Sequence, residues 1–396
     1  IKREKIVSFA ILWLYICLVP YFFVVSEELM VEYRTYPAIF GFVLIVDWLI
    51  EKLIHQKKKQ VLLFWGICIS FFVATFLRNF DWRDPLALWT DAVKKSPEKA
   101  RTHNNLGNAY TLRGFYDLAI EEGQRAISLE PGVSLPYTTL SIVYYRKGET
   151  DLAIEYAQKA LALESDSGRK VKICLNLGNI YAEKKRFSEA IKQYENALKI
   201  APRYFEACNN LGLVYHEMKD YDKAIDMFQK VIEIRPDYPQ GYNSLGIVYD
   251  LKGKYKLAIT AFKEAIRKNA HFAQAYFNMG ITYEKLEQYE DAEKSYKEAI
   301  RIAPHYASAY NNLGNIYYKK GNYAQARDFY KRAIVFEPKL TEAYNNLGTI
   351  FLEKREYPEA AEMFKKILEI EPLNKEAKKN LQHALEKLGY GTKQNR

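Results

Sequence analysis

Residues 100–374 repeat with a period of 34, and nothing else in the chain restricts its fold so severely. A Leu-Gly pair marks six units: Leu106-Gly107, Leu177-Gly178, Leu211-Gly212, Leu245-Gly246, Leu313-Gly314 and Leu347-Gly348. Leu140-Ser141 and Met279-Gly280 stand in for it in the other two. An aromatic follows three residues after the glycine position, from Tyr110 to Phe351, and an alanine twelve after it, from Ala119 to Ala360. Four residues beyond that alanine the last six units carry Tyr194, Phe228, Phe262, Tyr296, Tyr330 and Phe364. Proline closes most units, at Pro131, Pro202, Pro236, Pro304, Pro338 and Pro372. Small residues let two antiparallel helices approach, aromatics fill the space between them, and proline stops the second helix. One such hairpin cannot bury its apolar face, so hairpins must stack, and the sequence predicts an all-α solenoid.

This pattern resembles the tetratricopeptide repeat, which implies eight helix-turn-helix units over residues 100–374 wound into a right-handed superhelix. The one step longer than 34 lies between Leu140 and Leu177, and its three extra residues read as an enlarged turn over 165–170. Gly123 and Ala157 replace the second-helix aromatic in the first two units, which are expected to pack more loosely. Residues 375–396 read as a solvating cap helix and tail, with Lys375, Lys378, Lys379 and Lys387 exposed. Residues 79–99, with Trp89 and Glu98, read as a junction helix shielding the other end.

The position before each Leu-Gly pair points to function. It holds Asn105, Asn176, Asn210, Asn278, Asn312 and Asn346, with Thr139 and Ser244 in the remaining units and Asn380 in the cap helix. Asparagine is a mediocre helix former, so its recurrence at one mid-helix position needs a reason. Asn108, Asn179 and Asn315 lie three residues later, on the same face. A carboxamide both donates and accepts, and can pair with a peptide backbone whatever its sequence. The row resembles the asparagine ladder of the superhelix in O-linked N-acetylglucosamine transferase, which implies a groove for polypeptides. The plainer alternative is that each asparagine ties neighbouring repeats together. A carboxylate clamp of the chaperone-adaptor kind needs a basic residue one position earlier. That column reads Asn104, Thr138, Leu175, Asn209, Asn243, Phe277, Asn311 and Asn345.

The N-terminal region, residues 1–78, is of another kind. Residues 6–25, 36–54 and 61–77 are apolar runs long enough, or nearly so, to cross a hydrocarbon core, and three transmembrane helices are expected. The first run is too long for a signal-peptide core and lacks a small-residue cleavage site. Because the sequence starts at Ile1 without Met, the chain reads as the C-terminal part of a longer membrane protein. Lys2, Arg3 and Lys5 precede the first run and Lys57, Lys58 and Lys59 lie between the second and third, whereas Glu27, Glu28 and Glu32 lie between the first and second. Basic flanks stay cytoplasmic, which places the repeats on the extracytoplasmic side, in periplasm or lumen. Asp47 falls inside the second run, where it either faces a neighbouring helix or serves a function.

The net charge of +10 is not gathered into a stripe. Residues 1–97 carry 12 basic and 9 acidic side chains, and 375–396 carry 6 and 2, so the repeat body is nearly balanced and a nucleic-acid partner is not expected. Cys17 and Cys68 lie in apolar runs. Cys174 and Cys208 share a register position in adjacent units, about 10 Å apart by helix packing, too far for a disulfide. The six histidines show no metal-ligand spacing, and no phosphate-binding or nucleophile-elbow motif occurs. Neither a cofactor nor a catalytic centre is expected in this stretch of chain.

Two segments carry a further resemblance. Glu32-Tyr33-Arg34-Thr35-Tyr36-Pro37 through Gly41, and Arg78-Asn79, Trp82, Asp84 and Leu88-Trp89 ahead of the first repeat, are similar to parts of the transmembrane-and-tetratricopeptide O-mannosyltransferase family. Pro37 lies one residue earlier than in the family pattern, and the early loop bearing that family's catalytic acids has no counterpart here. The resemblance implies a membrane-anchored module holding protein acceptors for a glycosyltransferase. The alternative is an adaptor assembling a secretion, pilus or polysaccharide-export complex. Protein or peptide segments are the expected partners, with membrane lipid around the N-terminal helices.

Overall fold

The computed structural model describes residues 84–389, and every described element is an α-helix. The three apolar runs and residues 390–396 of the tail lie outside the described residues; among those described, no helix is long and apolar enough to cross a membrane.

The chain divides into two compact units at Pro131 and Gly132. The first holds α1 (Pro85–Lys95), α2 (Ala100–Leu112) and α3 (Tyr116–Leu129). Asp84 caps α1 through a bond from the Leu86 N–H (3.0 Å), with Pro85 in the first turn. The second unit holds seven hairpins: α4 (Ser134–Lys147) with α5 (Thr150–Leu163), α6 (Ser167–Glu183) with α7 (Phe187–Ile200), and α8 (Phe205–Glu217) with α9 (Tyr221–Ile234). Then come α10 (Pro239–Leu251) with α11 (Tyr255–Lys268), α12 (Ala273–Lys285) with α13 (Tyr289–Ile302), α14 (Ala307–Lys319) with α15 (Tyr323–Phe336), and α16 (Thr341–Glu353) with α17 (Tyr357–Ile370). The helix α18 (Lys375–Lys387) packs on α17. Each second helix also packs on the first helix of the next hairpin, which makes this unit a stacked solenoid.

The repeat residues do what their sizes dictate. The eight alanines from Ala119 to Ala360 are fully buried, as are Tyr194, Phe228, Phe262, Tyr296, Tyr330 and Phe364. Each aromatic lies flat against the glycine of its own first helix. A Cβ on Gly246 would stand 2.5 Å from Phe262 Cε1, and one on Gly314 2.6 Å from Tyr330 Cε1.

Two expectations need correction. The units without the aromatic are not loosened. In the first, a Cβ on Gly107 would meet the Ala119 carbonyl oxygen at 3.2 Å, so the helix backbones themselves close the gap. In the second, Ser141 bonds the Ala153 carbonyl (2.8 Å), while Tyr156 stacks on Tyr144 (5.2 Å between ring centroids). The three extra residues do not enlarge a turn either. Together with one residue taken from the preceding turn, they lengthen α6 to 17 residues against 13 in α8, because Asp166 caps it through the Arg169 N–H (2.7 Å).

Cys174 and Cys208 are free thiols, and burial pushes both above the ordinary thiol range.

Candidate polypeptide-binding face

The Leu of each Leu-Gly pair, or Leu140 and Met279 in its place, is buried, with Leu313 and Met279 packed among residues of the preceding hairpin's second helix. The residue before it and the residue after the Gly position lie together on the other side of the first helix. In the first unit Asn105 is half-buried and accepts a long bond from Asn104 Nδ2 (3.4 Å), while Asn108 is exposed. In the second unit Asn176, Asn210, Asn278, Asn312, Asn315 and Asn346 are half-buried and Asn179 is exposed.

Most of these carboxamides are tied to one another. Asn210 Nδ2 donates to Asn179 Oδ1 of the preceding hairpin (2.8 Å), and Asn278 Nδ2 to Asn243 Oδ1 (3.0 Å). Asn346 Nδ2 donates to both Asn311 Oδ1 and Asn315 Oδ1 (3.0 Å each). Within a helix, Asn209 donates to Asn210 (3.3 Å) and Asn311 to Asn312 (3.3 Å). The row is thus a lattice in which repeats are coupled through side-chain amides.

Second-helix hydroxyls anchor the lattice from below. Tyr194 Oη donates to Asn179 Oδ1 (2.7 Å) and Tyr330 Oη to Asn315 Oδ1 (2.8 Å). Tyr296 Oη donates to Glu284 Oε2 (3.1 Å) and accepts from Asn312 Nδ2 (3.4 Å). Burial pushes all three phenols well above the usual tyrosine range, so they remain donors. Sequence reasoning passed over Asn243 and Asn311, which are buried under the row, and these tyrosines. A partial signal was present: Asn179 and Asn315 stand in units whose aromatic is Tyr, and Leu213, Ile247 and Thr349 stand at that position where it is Phe228, Phe262 and Phe364, although Ile281 accompanies Tyr296.

Charges border the row but are spent on one another. Asp250 accepts from Thr282 Oγ1 (2.9 Å) and pairs with Lys285, and Glu284 pairs with Lys319 (2.9 Å). Near Asn278, Gln274 donates to its Oδ1 (3.0 Å) and accepts from Tyr306 Oη (2.7 Å). Burial outweighs the Gln274 bond and pushes Tyr306 up to about 12.

A carboxamide has two N–H hydrogens and two oxygen lone pairs, and the lattice uses only part of this. Asn179 and Asn315 each receive two bonds at Oδ1, and their bonds account for neither Nδ2 hydrogen. Asn346 gives both hydrogens to the lattice and keeps Oδ1. Asn210 keeps one hydrogen and one lone pair. The face therefore offers both donors and acceptors in fixed positions, the two kinds of group that pair with the C=O and N–H of an extended chain. Among the described residues, no group of three His, Cys, Asp or Glu side chains is placed to hold a metal ion.

Tetratricopeptide-repeat models match residues 75–133, 136–167, 178–219, 205–238, 251–287, 271–334 and 341–372. The chain belongs to the tetratricopeptide-repeat proteins, and its fold is that of a protein-interaction module. Over 116 residues it is 33% identical to the protein O-mannosyl-transferase Tmtc2 of Drosophila melanogaster, a match that covers 28% of this chain and 12% of that relative. Among solved structures it is similar to a tetratricopeptide repeat protein of Parabacteroides merdae, at 21% identity and a TM-score of 0.52, over 64% of this chain and 98% of the other. The tetratricopeptide protein YrrB, described as having an unusual peptide-binding site, is 22% identical with a TM-score of 0.38, over 45% of this chain and 96% of its own.

Proposed function

We propose that the protein is a membrane-tethered module that holds extended polypeptides on its asparagine face, as the acceptor-binding part of a protein O-glycosyltransferase. The observation that carries the proposal is the unspent hydrogen-bonding capacity of Asn179, Asn210, Asn315 and Asn346. Lattice bonds fix these side chains in place before a ligand arrives. Preorganised amides lose little rotamer freedom when they capture a backbone. Because they address main-chain groups, they accept many sequences, as a transferase acting on diverse proteins requires. The stretch shared with an O-mannosyl-transferase supports the choice of partner enzyme. The apolar runs at 6–25, 36–54 and 61–77 support the tether, with the repeats on the extracytoplasmic side by the distribution of Lys and Arg. Sugar-transfer chemistry is assigned to a part of the glycosyltransferase outside these repeats.

The test is sugar transfer to unstructured acceptor peptides by the full-length protein in native membranes. Transfer that collapses when the repeats are deleted, with the remaining polypeptide still inserted, supports the reading. Transfer that is indifferent to the repeats, or absent from the intact protein, leaves an adaptor that assembles an envelope complex.

A further inference from the structure

The turn between the helices of the first repeat differs from its counterparts. Leu112, Phe115 and Leu118, spaced i, i+3 and i+6, are 71%, 52% and 45% exposed. The same three positions are entirely polar in five of the other repeats: Glu183, Arg186 and Glu189 in the third, for example, and Lys319, Asn322 and Gln325 in the seventh. The second repeat keeps one leucine there, Leu152, and the fifth keeps two, Leu251 and Leu257, around Lys254. Only the first repeat is apolar at all three. Solvation does not explain this, because identical turn geometry is satisfied elsewhere by charged residues.

The position of the incoming chain says what covers the patch. Arg113, inside this turn, bonds Asp84 (Nη2 to Oδ1, 3.1 Å), the residue that caps α1. The chain therefore reaches the first repeat beside Leu112 and Phe115. The apolar run at 61–77 ends seven residues before Asp84, a distance of at most ~25 Å even if fully extended. Between them lies Trp82, an aromatic of the kind that favours the headgroup layer. Arg113 and Asp84 neutralise one another beside the patch, and Phe115 is steadied edge-on by Tyr110 (6.4 Å between centroids).

We infer that this turn is a second membrane contact: Leu112, Phe115 and Leu118 sit in the lipid headgroup layer beside the point where the chain leaves the bilayer. The inference rests on the membrane tether proposed above. It gives the first repeat a fixed attitude to the membrane, which a flexible tether alone does not.

The test uses the full chain in phosphatidylcholine vesicles, with Cys17→Ser and Cys68→Ser, since Cys174 and Cys208 are buried. An environment-sensitive fluorophore is placed at Leu118→Cys and, for comparison, at the equivalent Gln325→Cys. Melting of each variant is compared with that of the parent to confirm folding. The inference predicts blue-shifted emission at Leu118→Cys, quenched by lipid spin-labelled near the headgroup, and water-like emission at Gln325→Cys. Water-like emission at both, in a chain that resists carbonate extraction, overturns the inference while leaving the tether in place. A chain released by carbonate removes the tether, and this inference falls with it. A dry fluorophore that lipid spin labels do not quench means a protein neighbour, and also overturns it.

Discussion

One left-handed residue closes the first helix of every hairpin: Gly114, Gly148, Lys185, Lys219, Gly253, Glu287, Gly321 and Arg355. Each is followed by an N–H that reaches back to the last turn, as from Phe115 to the Tyr110 carbonyl (3.0 Å) and from Glu356 to Phe351 (2.8 Å). Four of the eight carry a side chain at φ between 57° and 62°, where a Cβ costs about 1–2 kcal/mol. Glycine relieves that strain but adds freedom to the unfolded chain. Lys219→Gly and Glu287→Gly are each expected to stabilise the protein by about 0.5 kcal/mol, read as a higher urea midpoint at unchanged slope. A lower midpoint would mean that the lysine or glutamate side chain makes a contact worth more than the strain. Glycine itself is tested from the other side at Gly314, where any Cβ collides with Tyr330.

At the scale of elements, ion pairs cross several joints between hairpins, among them Asp250–Lys285 and Glu284–Lys319, and the carboxylate buried more deeply than either of these is Glu164. Glu164, at the C-terminus of α5 and almost fully buried, accepts from Ser134 at the start of α4, from the Asp166 N–H (2.9 Å) and from Arg169 in α6 (2.9 Å). Burial opposes ionisation, but these three bonds outweigh it and hold the carboxyl down at about 2. Its unfolded value is about 4.3. The stability it supplies is therefore complete above that value and is lost as pH falls from about 4.5 toward 2. Glu164→Gln is expected to lower the urea midpoint at pH 7, and the gap from the parent should narrow as the pH is taken from 5 to about 2.5. A gap independent of pH would show that the carboxylate charge contributes nothing. This joint also shows where the sequence was misleading. Ser165, Asp166, Ser167 and Gly168 have the composition of a loop, yet Asp166 caps a helix that starts at Ser167. The repeat period located the hairpins because it records packing within each one. It is silent on a junction formed once, and equally on the lattice, where a hydrogen bond couples two columns such as Tyr194 and Asn179 that the period displays separately.

For the whole molecule, the asparagine row was legible as a row, but its division of labour was not. The same side chains that face outward also bind repeat to repeat, so the two readings of the row are not exclusive. Asn346 shows both: its amide nitrogen ties α16 to α14, and its oxygen remains available to a ligand. Substituting it must cost stability as well as any binding. The measurement that reaches the central claim most directly is the affinity of an unstructured peptide for the parent and for the Asn210→Ala, Asn346→Ala variant. It is followed by fluorescence anisotropy, with thermal melting recorded on the same samples and a backbone N-methylated peptide as control. Removing two backbone-directed amides at about 1 kcal/mol each predicts affinity lower by about tenfold or more, a modestly lower melting midpoint, and little binding of the N-methylated peptide even by the parent. Unchanged affinity together with a large fall in melting temperature would contradict the claim and leave the asparagines as mortar between repeats.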